Sequence, residues 1–328
     1  MAKGLVTLIG GSGFIGRYAT RALVEAGYRV RVACRRPNVA QDVKVAGPPG
    51  WVDLVQANVR NPDSLRRAME GADAVVNLVG ILFESGKQTF SSAQEDGAKN
   101  AAQIAKDLGV SRFVQISAIG ADPDGKAAYA RTKAAGEQAV REAFPDAVIL
   151  RPSIVFGPED QFFNRFADMA RFAPALPAIG GGKTRFQPVY AGDVADAIVC
   201  AVMREDAAGK TYELGGPSVY TFNELYDFIF ETIDRKRLKA PLPFFIAKPM
   251  GMAAGAIWRI PFLPLHSVFG PPPITGGQVD MLRHDNVVAE DALTLADLGV
   301  TEIESIESIV PTYLWRFRAY GEFHQNEA

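Results

Sequence analysis

Tyr129 and Lys133 are the side chains of this sequence whose types and spacing best suit acid–base chemistry. They stand four residues apart in a segment with helical patterning, so they share one helix face. A nearby ammonium lowers the pKa of a phenol by favouring the phenolate, and a phenol tuned in this way can pass a proton to a carbonyl oxygen. The lysine can also bind a sugar hydroxyl. The alternative is a chance pairing of two residues on a helix.

A glycine-rich turn near the N-terminus predicts a site for a phosphate-bearing ligand. The apolar run Leu5–Ile9 is typical of a buried strand, and it leads through Gly10, Gly13 and Gly16 into a helical pattern. Free backbone N–H groups and the helix dipole both favour an anion at such a turn. Gly10 permits the turn, Gly13 lets a pyrophosphate approach, and Gly16 lets the helix pack on the strand. We expect a dinucleotide here, rather than an ordinary glycine-rich turn, with contacts from Gly10, Ser12, Gly13, Phe14, Ile15 and Gly16.

Two arginines favour NADP(H) over NAD(H). The segment Arg29–Cys34 alternates like a second strand, and it ends where NAD-binding proteins carry an acid for the ribose 2′-hydroxyl. Here Arg35 and Arg36 occupy that place, with no carboxylate nearby. A guanidinium suits a 2′-phosphate, which an acid would repel. The alternative is a pair of solvated arginines.

The alternation of strands and helices predicts an α/β fold of the Rossmann type, a doubly wound parallel sheet with a smaller C-terminal lobe. We expect a dinucleotide-binding domain over 1–155, to which 184–215 returns, and a mixed lobe over 156–328. Ligands of such sheets bind at the carboxyl ends of the strands, where Asn77, Gly80 and Ser117 fall. The predicted strands are 5–9, 29–34, 52–57, 74–80, 112–117 and 147–150, and the predicted helices between them are 62–69, 91–108 and 127–144.

Composition excludes several classes of function. The net charge of −2 over 328 residues argues against nucleic-acid binding. The two cysteines, Cys34 and Cys200, fit buried free thiols in a reducing compartment, and the three histidines lack ligand-like spacing, so no metal is expected. No long uninterrupted apolar stretch predicts a membrane-spanning helix. The first strand begins near residue 5, which argues against a secretory signal and favours a bacterial protein over a trimmed mitochondrial one.

Several motifs together resemble the extended and atypical short-chain dehydrogenase/reductases. They are the three glycines, the Tyr129 and Lys133 pair, the tripeptide 150–152 and the segment 188–195. The stretch 156–169, with 137–145 before it and 187–190 after it, is similar to a narrower group: the NADPH-binding, dehydrogenase-like accessory subunits of respiratory complex I (NADH:ubiquinone oxidoreductase).

This resemblance implies a tightly bound NADPH that is not turned over. It implies a scaffolding role beside the quinone site, with other complex I subunits of that region and the membrane arm as partners. The location implied is peripheral, on the cytoplasmic face of a bacterial inner membrane or the matrix side of the mitochondrial one. The further cofactor contacts it implies are Arg35, Arg36, Asn58, Val59, Leu78, Val79, Gly80, Ser117, Tyr129, Lys133, Pro152 and Ile154.

Departures from the enzyme pattern agree with a non-catalytic role. Active relatives carry a catalytic Ser or Thr just past the serine that ends the fifth strand, but here Ser117 is followed by Ala118 and Ile119. Gln94 stands in place of a helix asparagine, and Asn58 in place of an adenine-binding Asp. We therefore expect no catalytic residue, with Tyr129 and Lys133 as vestigial candidates. An active NADP(H)-dependent reductase of a small carbonyl and a dinucleotide-sensing regulator remain alternatives.

Two segments bear on docking. The apolar stretch 241–273 is expected either to contact a membrane or partner or to form the core of the small lobe. The aromatic and basic segment 313–320 fits a protein interface, a helix packed on its own domain or, less well, single-stranded nucleic acid. The stripe of Phe162, Phe166 and Met169 is expected to be core.

Overall fold

The computed structural model describes residues 2–258, 274–319 and 321. Its strands are β1 (Leu5–Ile9), β2 (Arg29–Cys34), β3 (Val52–Gln56), β4 (Ala74–Asn77), β5 (Arg112–Ile116), β6 (Val148–Pro152), β7 (Val155–Phe156), β8 (Ala175–Ile179), β9 (Arg185–Phe186), β10 (Val189–Tyr190), β11 (Thr211–Leu214), β12 (Tyr220–Thr221) and β13 (Leu238–Leu242). Its α-helices are α1 (Phe14–Glu25), α2 (Pro62–Met69), α3 (Asp96–Asp107), α4 (Ala128–Ala143), α5 (Phe163–Phe172), α6 (Ala191–Met203), α7 (Phe222–Thr232), α8 (Phe244–Trp258), α9 (Gly276–Met281), α10 (Leu295–Leu298), α11 (Ile306–Ile309) and α12 (Pro311–Leu314).

The chain forms two compact units, of which the first holds the large sheet. This unit comprises Met1–Pro152, Ala191–Leu214 and Val288–Glu302. Its seven strands are parallel, in the order β11-β6-β5-β4-β1-β2-β3. The strand order reverses beside β1, which confirms the predicted doubly wound fold. Dinucleotides bind at the carboxyl ends of the strands on either side of such a reversal.

The helices of the first unit begin and end where local chemistry dictates. The side chain of Asn61 accepts a hydrogen bond from the backbone N–H of Ser64 at 3.1 Å and so caps α2. Helix α1 packs against α6, and α3 packs against α4. One irregularity precedes α3, where Ser91–Glu95 form a π-helical turn rather than ordinary α-helix. Such turns concentrate at functional sites.

The second unit has an aromatic core. It comprises Ser153–Tyr190, Gly215–Val287 and Ile303–Ala328. Helix α7 begins with a capping box between Thr221 and Glu224. The expected stripe of Phe162, Phe166 and Met169 packs against this core, which confirms that interpretation. Large buried members of the core are Phe156, Phe163, Leu176, Leu225, Tyr226, Ile229, Tyr313 and Leu314.

The aromatic C-terminal segment packs on its own unit. Tyr313, Leu314 and Phe317 are buried in the core of the second unit. Of the three alternatives for this segment, the structure therefore supports a helix packed on its own domain. Tyr320 lies outside the described residues.

Helix α8 is largely exposed and apolar. Only Ala247 and Gly251 are buried on it. Its large exposed apolar side chains are Phe245, Ile246, Met250, Met252 and Ile257. The described part of 241–273 is therefore not simply core, and 259–273 lies outside the described residues. Within the described part of the chain, no helix has the length and apolar character needed to span a bilayer.

Candidate functional site

The glycine-rich turn has the geometry of an anion site. Gly10 directly follows β1 and has a φ of +82°, which side-chain-bearing residues rarely adopt. Gly13 then stands at the N-cap of α1, and no side chain caps the helix there. The first turn of α1 carries no acidic residue. The N-terminal backbone N–H groups and the positive end of the helix dipole are thus available to a phosphate.

The other two glycines permit close approach. A Cβ on Gly16 would lie 2.4 Å from the carbonyl oxygen of Gly11, so only glycine lets α1 start this close to the turn. A Cβ on Gly13 would lie 3.3 Å from the carbonyl oxygen of Gly10. That distance is tight but tolerable, so Gly13 is not required by packing. Its role is better explained by the room it leaves for a ligand.

Residues from β4, β5 and α4 converge beside the turn. A Cβ on Gly10 would lie 3.2 Å from a methyl group of Val79, which follows β4. A Cβ on Gly80 would lie 3.3 Å from the Nζ of Lys133 on α4, and that Nζ donates a hydrogen bond to the carbonyl oxygen of Ile116 at 3.2 Å. The structure thus brings the expected Gly10, Val79, Gly80 and Lys133 to one edge of the sheet.

The hydroxyl of Ser117 is the buried polar group at this edge that lacks a partner. The residue is 4% exposed, directly after β5, and its Oγ has no hydrogen-bond partner in the structure. A buried hydroxyl without a partner costs free energy, which a ligand that bonds to it would recover. Ser117 is therefore placed to contact a bound molecule.

Tyr129 and Lys133 do not have the protonation behaviour that their spacing suggested. Burial raises the pKa of Tyr129 to about 12, and the expectation of a phenol with a lowered pKa is wrong. Burial lowers the pKa of Lys133 to about 8, although Glu137 nearby opposes that shift. The ammonium of Lys133 bonds to a backbone carbonyl, and the ring of Tyr129 packs edge-on against Phe90 at 6.0 Å between centroids.

The two arginines after β2 are exposed at the same edge of the sheet. Arg35 donates a hydrogen bond from its Nη1 to the Oε1 of Gln88. Among the described residues, neither Arg35 nor Arg36 forms an ion pair with a carboxylate. Both charges remain available to a phosphate. Sequence reasoning missed Gln88, because a side chain 53 residues away gives no local signal.

Asn58 and Val59 follow β3, beside the arginines. The Oδ1 of Asn58 accepts a hydrogen bond from the backbone N–H of Arg60 at 3.1 Å. The acceptor expected to contact adenine thus also takes part in a local turn, and its second lone pair and the amide nitrogen are left for such a contact. The carbonyl oxygen of Val59 accepts from Asn100 at 3.3 Å.

Gln94 connects three segments of the site. It lies in the π-helical turn, its Nε2 donates to the carbonyl oxygen of Ile81 at 2.8 Å, and its Oε1 accepts from the hydroxyl of Thr132 at 2.9 Å. A Cβ on Gly136 would lie 2.3 Å from the carbonyl oxygen of Gln94, so glycine allows α4 to approach the turn. Gln94 therefore holds α4 in place.

The last two expected contacts fall in different units. Pro152 ends β6 in the first unit, and its carbonyl oxygen accepts from the N–H of Ile119 at 3.0 Å. Ile154 lies in the second unit, where its carbonyl oxygen accepts from the N–H of Val189 at 2.9 Å. Three features of the first unit fit a phosphorylated dinucleotide. They are the start of α1, which no side chain caps, the Ser117 hydroxyl, which has no hydrogen-bond partner, and the arginines after β2, which have no acidic partner. In the described residues, no group of three or more His, Cys, Asp or Glu side chains is arranged to hold a metal ion.

Comparisons with known proteins agree with this fold. Residues 6–215 match the NAD dependent epimerase/dehydratase family. NADH dehydrogenase (ubiquinone) 1 alpha subcomplex subunit 9 of Arabidopsis thaliana is 37% identical over 90% of this chain and 74% of its own length. The Rattus norvegicus protein of the same name is 34% identical over 95% of this chain and 81% of its own length.

Among solved structures, DesIV, a dTDP-glucose 4,6-dehydratase from Streptomyces venezuelae with NAD and TYD bound, has the same fold. Its TM-score is 0.70 at 20% identity, covering 95% of this chain and 96% of that one. The family match covers well over half of the chain, and the two relatives extend it through both units. The chain therefore belongs to the NAD dependent epimerase/dehydratase family and, within it, to the extended short-chain dehydrogenase-like proteins that include subunit 9 of the NADH dehydrogenase 1 alpha subcomplex.

Proposed function

We propose that this chain is a non-catalytic accessory subunit of respiratory complex I that holds a structural NADPH. In this role it supports the assembly and stability of the quinone-site region at the membrane surface. The observation that carries the proposal is the similarity to subunit 9 proteins over 90% or more of the chain, which includes the second unit as well as the sheet. Fold alone does not distinguish a subunit from an enzyme, but similarity through both units favours the subunit.

Groups of the first unit support the proposal of a bound NADPH. The N–H groups at the start of α1 would hold the pyrophosphate, Ser117 and Lys133 would bond to ribose hydroxyls, and Arg35 would hold the 2′-phosphate. When bound, NADPH supplies a hydride donor. The groups around it are suited to binding: the ammonium of Lys133 on α4 is already held by Ile116, and the other contacts follow the ends of β1, β2 and β5. A bound cofactor would tie these strand ends together.

The same site is poorly equipped for carbonyl reduction. A phenol with a pKa of about 12 is a weak proton donor at neutral pH. Ala118 and Ile119 follow Ser117, so the neighbouring positions offer no hydroxyl to orient a substrate carbonyl. These features support binding without turnover. The retained pairing of Tyr129 with Lys133 favours the alternative, an active NADP(H)-dependent reductase.

The exposed face of α8 supports the docking part of the proposal. Phe245, Met250 and Met252 expose 76%, 56% and 60% of their surface. Contiguous apolar patches of this kind are typical of contacts with a partner or a membrane. We propose that this face contacts neighbouring complex I subunits or the membrane surface beside them, on the cytoplasmic side of a bacterial inner membrane or the matrix side of a mitochondrial one.

The decisive experiment removes the gene for this chain from the organism that carries it. Native gels of solubilised membranes should then show complex I at a lower mass and with lower quinone reductase activity, and the wild-type gene should restore both. A chain that migrates apart from complex I, with the complex unchanged by the deletion, would contradict the proposal. The cofactor is tested separately: the purified chain should release NADPH on denaturation.

A further inference from the structure

A second set of cations lies beside the expected 2′-phosphate site. Arg60 follows β3 by four residues, and Arg35 follows β2 by one. These strands are parallel, with Cys34 paired to Gln56, so their carboxyl ends meet at the same edge of the sheet. The hydrogen bond between the N–H of Arg60 and the Oδ1 of Asn58 turns the chain at this edge.

Arg35 and Arg60 converge on two consecutive residues of one loop. The Nη1 of Arg35 donates to the side-chain oxygen of Gln88, and the Nη1 of Arg60 donates to the carbonyl oxygen of Lys87 at 3.0 Å. Adjacent residues have Cα atoms about 3.8 Å apart, so both guanidinium groups reach the same short stretch of this loop. Lys87 adds a third cationic side chain to the same loop.

Arg35 and Arg60 have no acidic partner, in contrast to some of the other arginines of the same unit. Elsewhere in it, Arg17 pairs with Asp42, Arg66 with Asp107 and Arg151 with Glu137. Within the described ranges, Arg35 and Arg60 pair with no carboxylate and hold only neutral oxygens. Each guanidinium carries five N–H donors, and an ionised acceptor binds them more strongly than a carbonyl does.

The loop that carries Lys87 and Gln88 is internally ordered. Ser85 and Gln88 exchange two backbone hydrogen bonds at 3.0 Å. The N–H of Phe90 donates to the carboxylate of Glu84 at 3.0 Å. This ordered turn thus carries the two oxygens, the Lys87 carbonyl and the Gln88 side-chain oxygen, that accept hydrogen bonds from the arginines.

We infer that Arg60 is a second residue that determines specificity for the 2′-phosphate; this inference rests on the proposed NADPH site. In the ligand-free chain, the side-chain oxygen of Gln88 bonds to Arg35 where an oxygen of the phosphate would bond. Arg35 and Arg60 then bind the phosphate together. The phosphate displaces Gln88 from Arg35, and the loop moves with it. Selection of NADPH over NADH therefore depends on residues after β2, after β3 and in this loop.

The test compares dissociation constants of the purified full-length chain, stripped of cofactor, for NADPH and for NADH. Arg60→Ala should weaken NADPH binding about tenfold, a loss of about 1.4 kcal/mol, and leave NADH binding within twofold. Gln88→Glu should also weaken NADPH selectively, because its carboxylate would pair with the arginines and repel the phosphate. Gln88→Ala should bind NADPH as tightly as wild type or more tightly. Arg66→Ala, which removes a charge from α2 away from this loop, is the matched control and should change neither constant.

Competition by 2′,5′-ADP supplies a second readout and a means to separate two failures. If Arg35→Ala loses the preference for NADPH while Arg60→Ala keeps it and still binds 2′,5′-ADP as tightly as wild type, the inference about Arg60 is overturned and the proposed cofactor stands. If the wild-type chain shows no preference for NADPH at all, the proposed cofactor and the inference fail together. Thermal melting of each variant excludes misfolding, and Arg60→Lys, which keeps the charge but not the fork, should give an intermediate loss.

Discussion

The ammonium of Lys133 donates to the carbonyl oxygen of Ile116 at 3.2 Å, from a position where the residue is 6% exposed. This bond joins α4 to the end of β5, beside Gly80. It places a cation where burial disfavours the charged form, so the pKa of Lys133 falls from 10.5 to about 8. The free energy of folding must therefore depend on the protonation of this one side chain.

Lys133 should make the stability of the ligand-free chain rise with alkaline pH. Between about pH 8 and 10.5 the unfolded lysine holds a proton that the folded one has lost, so the free energy of unfolding rises with pH in that window and is level below about pH 8, where both states hold the proton. The difference between wild type and Lys133→Met should change by on the order of 3 kcal/mol across it. Urea unfolding at a series of pH values measures this, with the exposed Lys126→Met as the control. Parallel curves for wild type and Lys133→Met would contradict it.

Tyr129 should be silent in catalysis. Because burial keeps its pKa near 12, the phenol stays protonated at neutral pH. NADPH absorbance in the presence of small aldehydes and ketones should therefore fall no faster with wild type than with Tyr129→Phe or with buffer. A rate that is present in wild type and abolished by Tyr129→Phe would establish the alternative, an active reductase.

Gly13 and Gly16 should separate binding from folding. Gly16→Ala forces a Cβ to within 2.4 Å of a backbone oxygen, so it should destabilise the chain by at least 1–3 kcal/mol. Gly13→Ala meets only a 3.3 Å contact and should fold almost normally, yet its methyl group stands where the pyrophosphate approaches. We expect at least a tenfold weaker affinity for NADPH in Gly13→Ala. Urea unfolding and NADPH titration check the pair, and equal behaviour of the two variants would argue against separate roles.

The sequence predicted the sheet because its signals are local. Apolar runs, the glycine spacing and the Asn61 cap each act within a few residues, and the strands and helices of the first unit follow them closely. The contacts of Arg35 with Gln88 and of Asn58 with Arg60 were beyond reach, since the first depends on tertiary packing and the second on a turn that uses the expected acceptor. The pKa of Tyr129 was predicted in the wrong direction for a related reason. Spacing shows which residues share a helix face, but burial decides the shift.

Tyr313 should contribute to the stability of the second unit through Asp160. The Tyr313 hydroxyl donates to the Oδ2 of Asp160, a carboxylate that is 3% exposed and whose pKa is raised by burial against the effect of this bond. Tyr313→Phe removes a partner from a buried acid, so it should cost about 1–3 kcal/mol. The matched control is Tyr220→Phe, which loses a bond of 2.8 Å to Glu307 nearer the surface and should cost less. Equal decreases in the free energy of unfolding of the two variants would show that the burial of Asp160 does not determine how much this hydrogen bond contributes to stability.

The exposed face of α8 should matter for association and not for folding. Phe245 on α8 and Phe172 on α5 are 76% and 78% exposed, so they are matched in type, unit and exposure. Phe245→Ser and Phe172→Ser should both leave the melting temperature of the isolated chain nearly unchanged, because neither removes buried surface. In cells lacking the wild-type gene, however, Phe245→Ser should reduce the share of the chain that comigrates with complex I on native gels, because contact residues at the centre of an apolar patch carry much of the binding energy. Phe172→Ser should comigrate like wild type. Were both variants to associate normally, the contact with the complex would have to lie elsewhere on the chain.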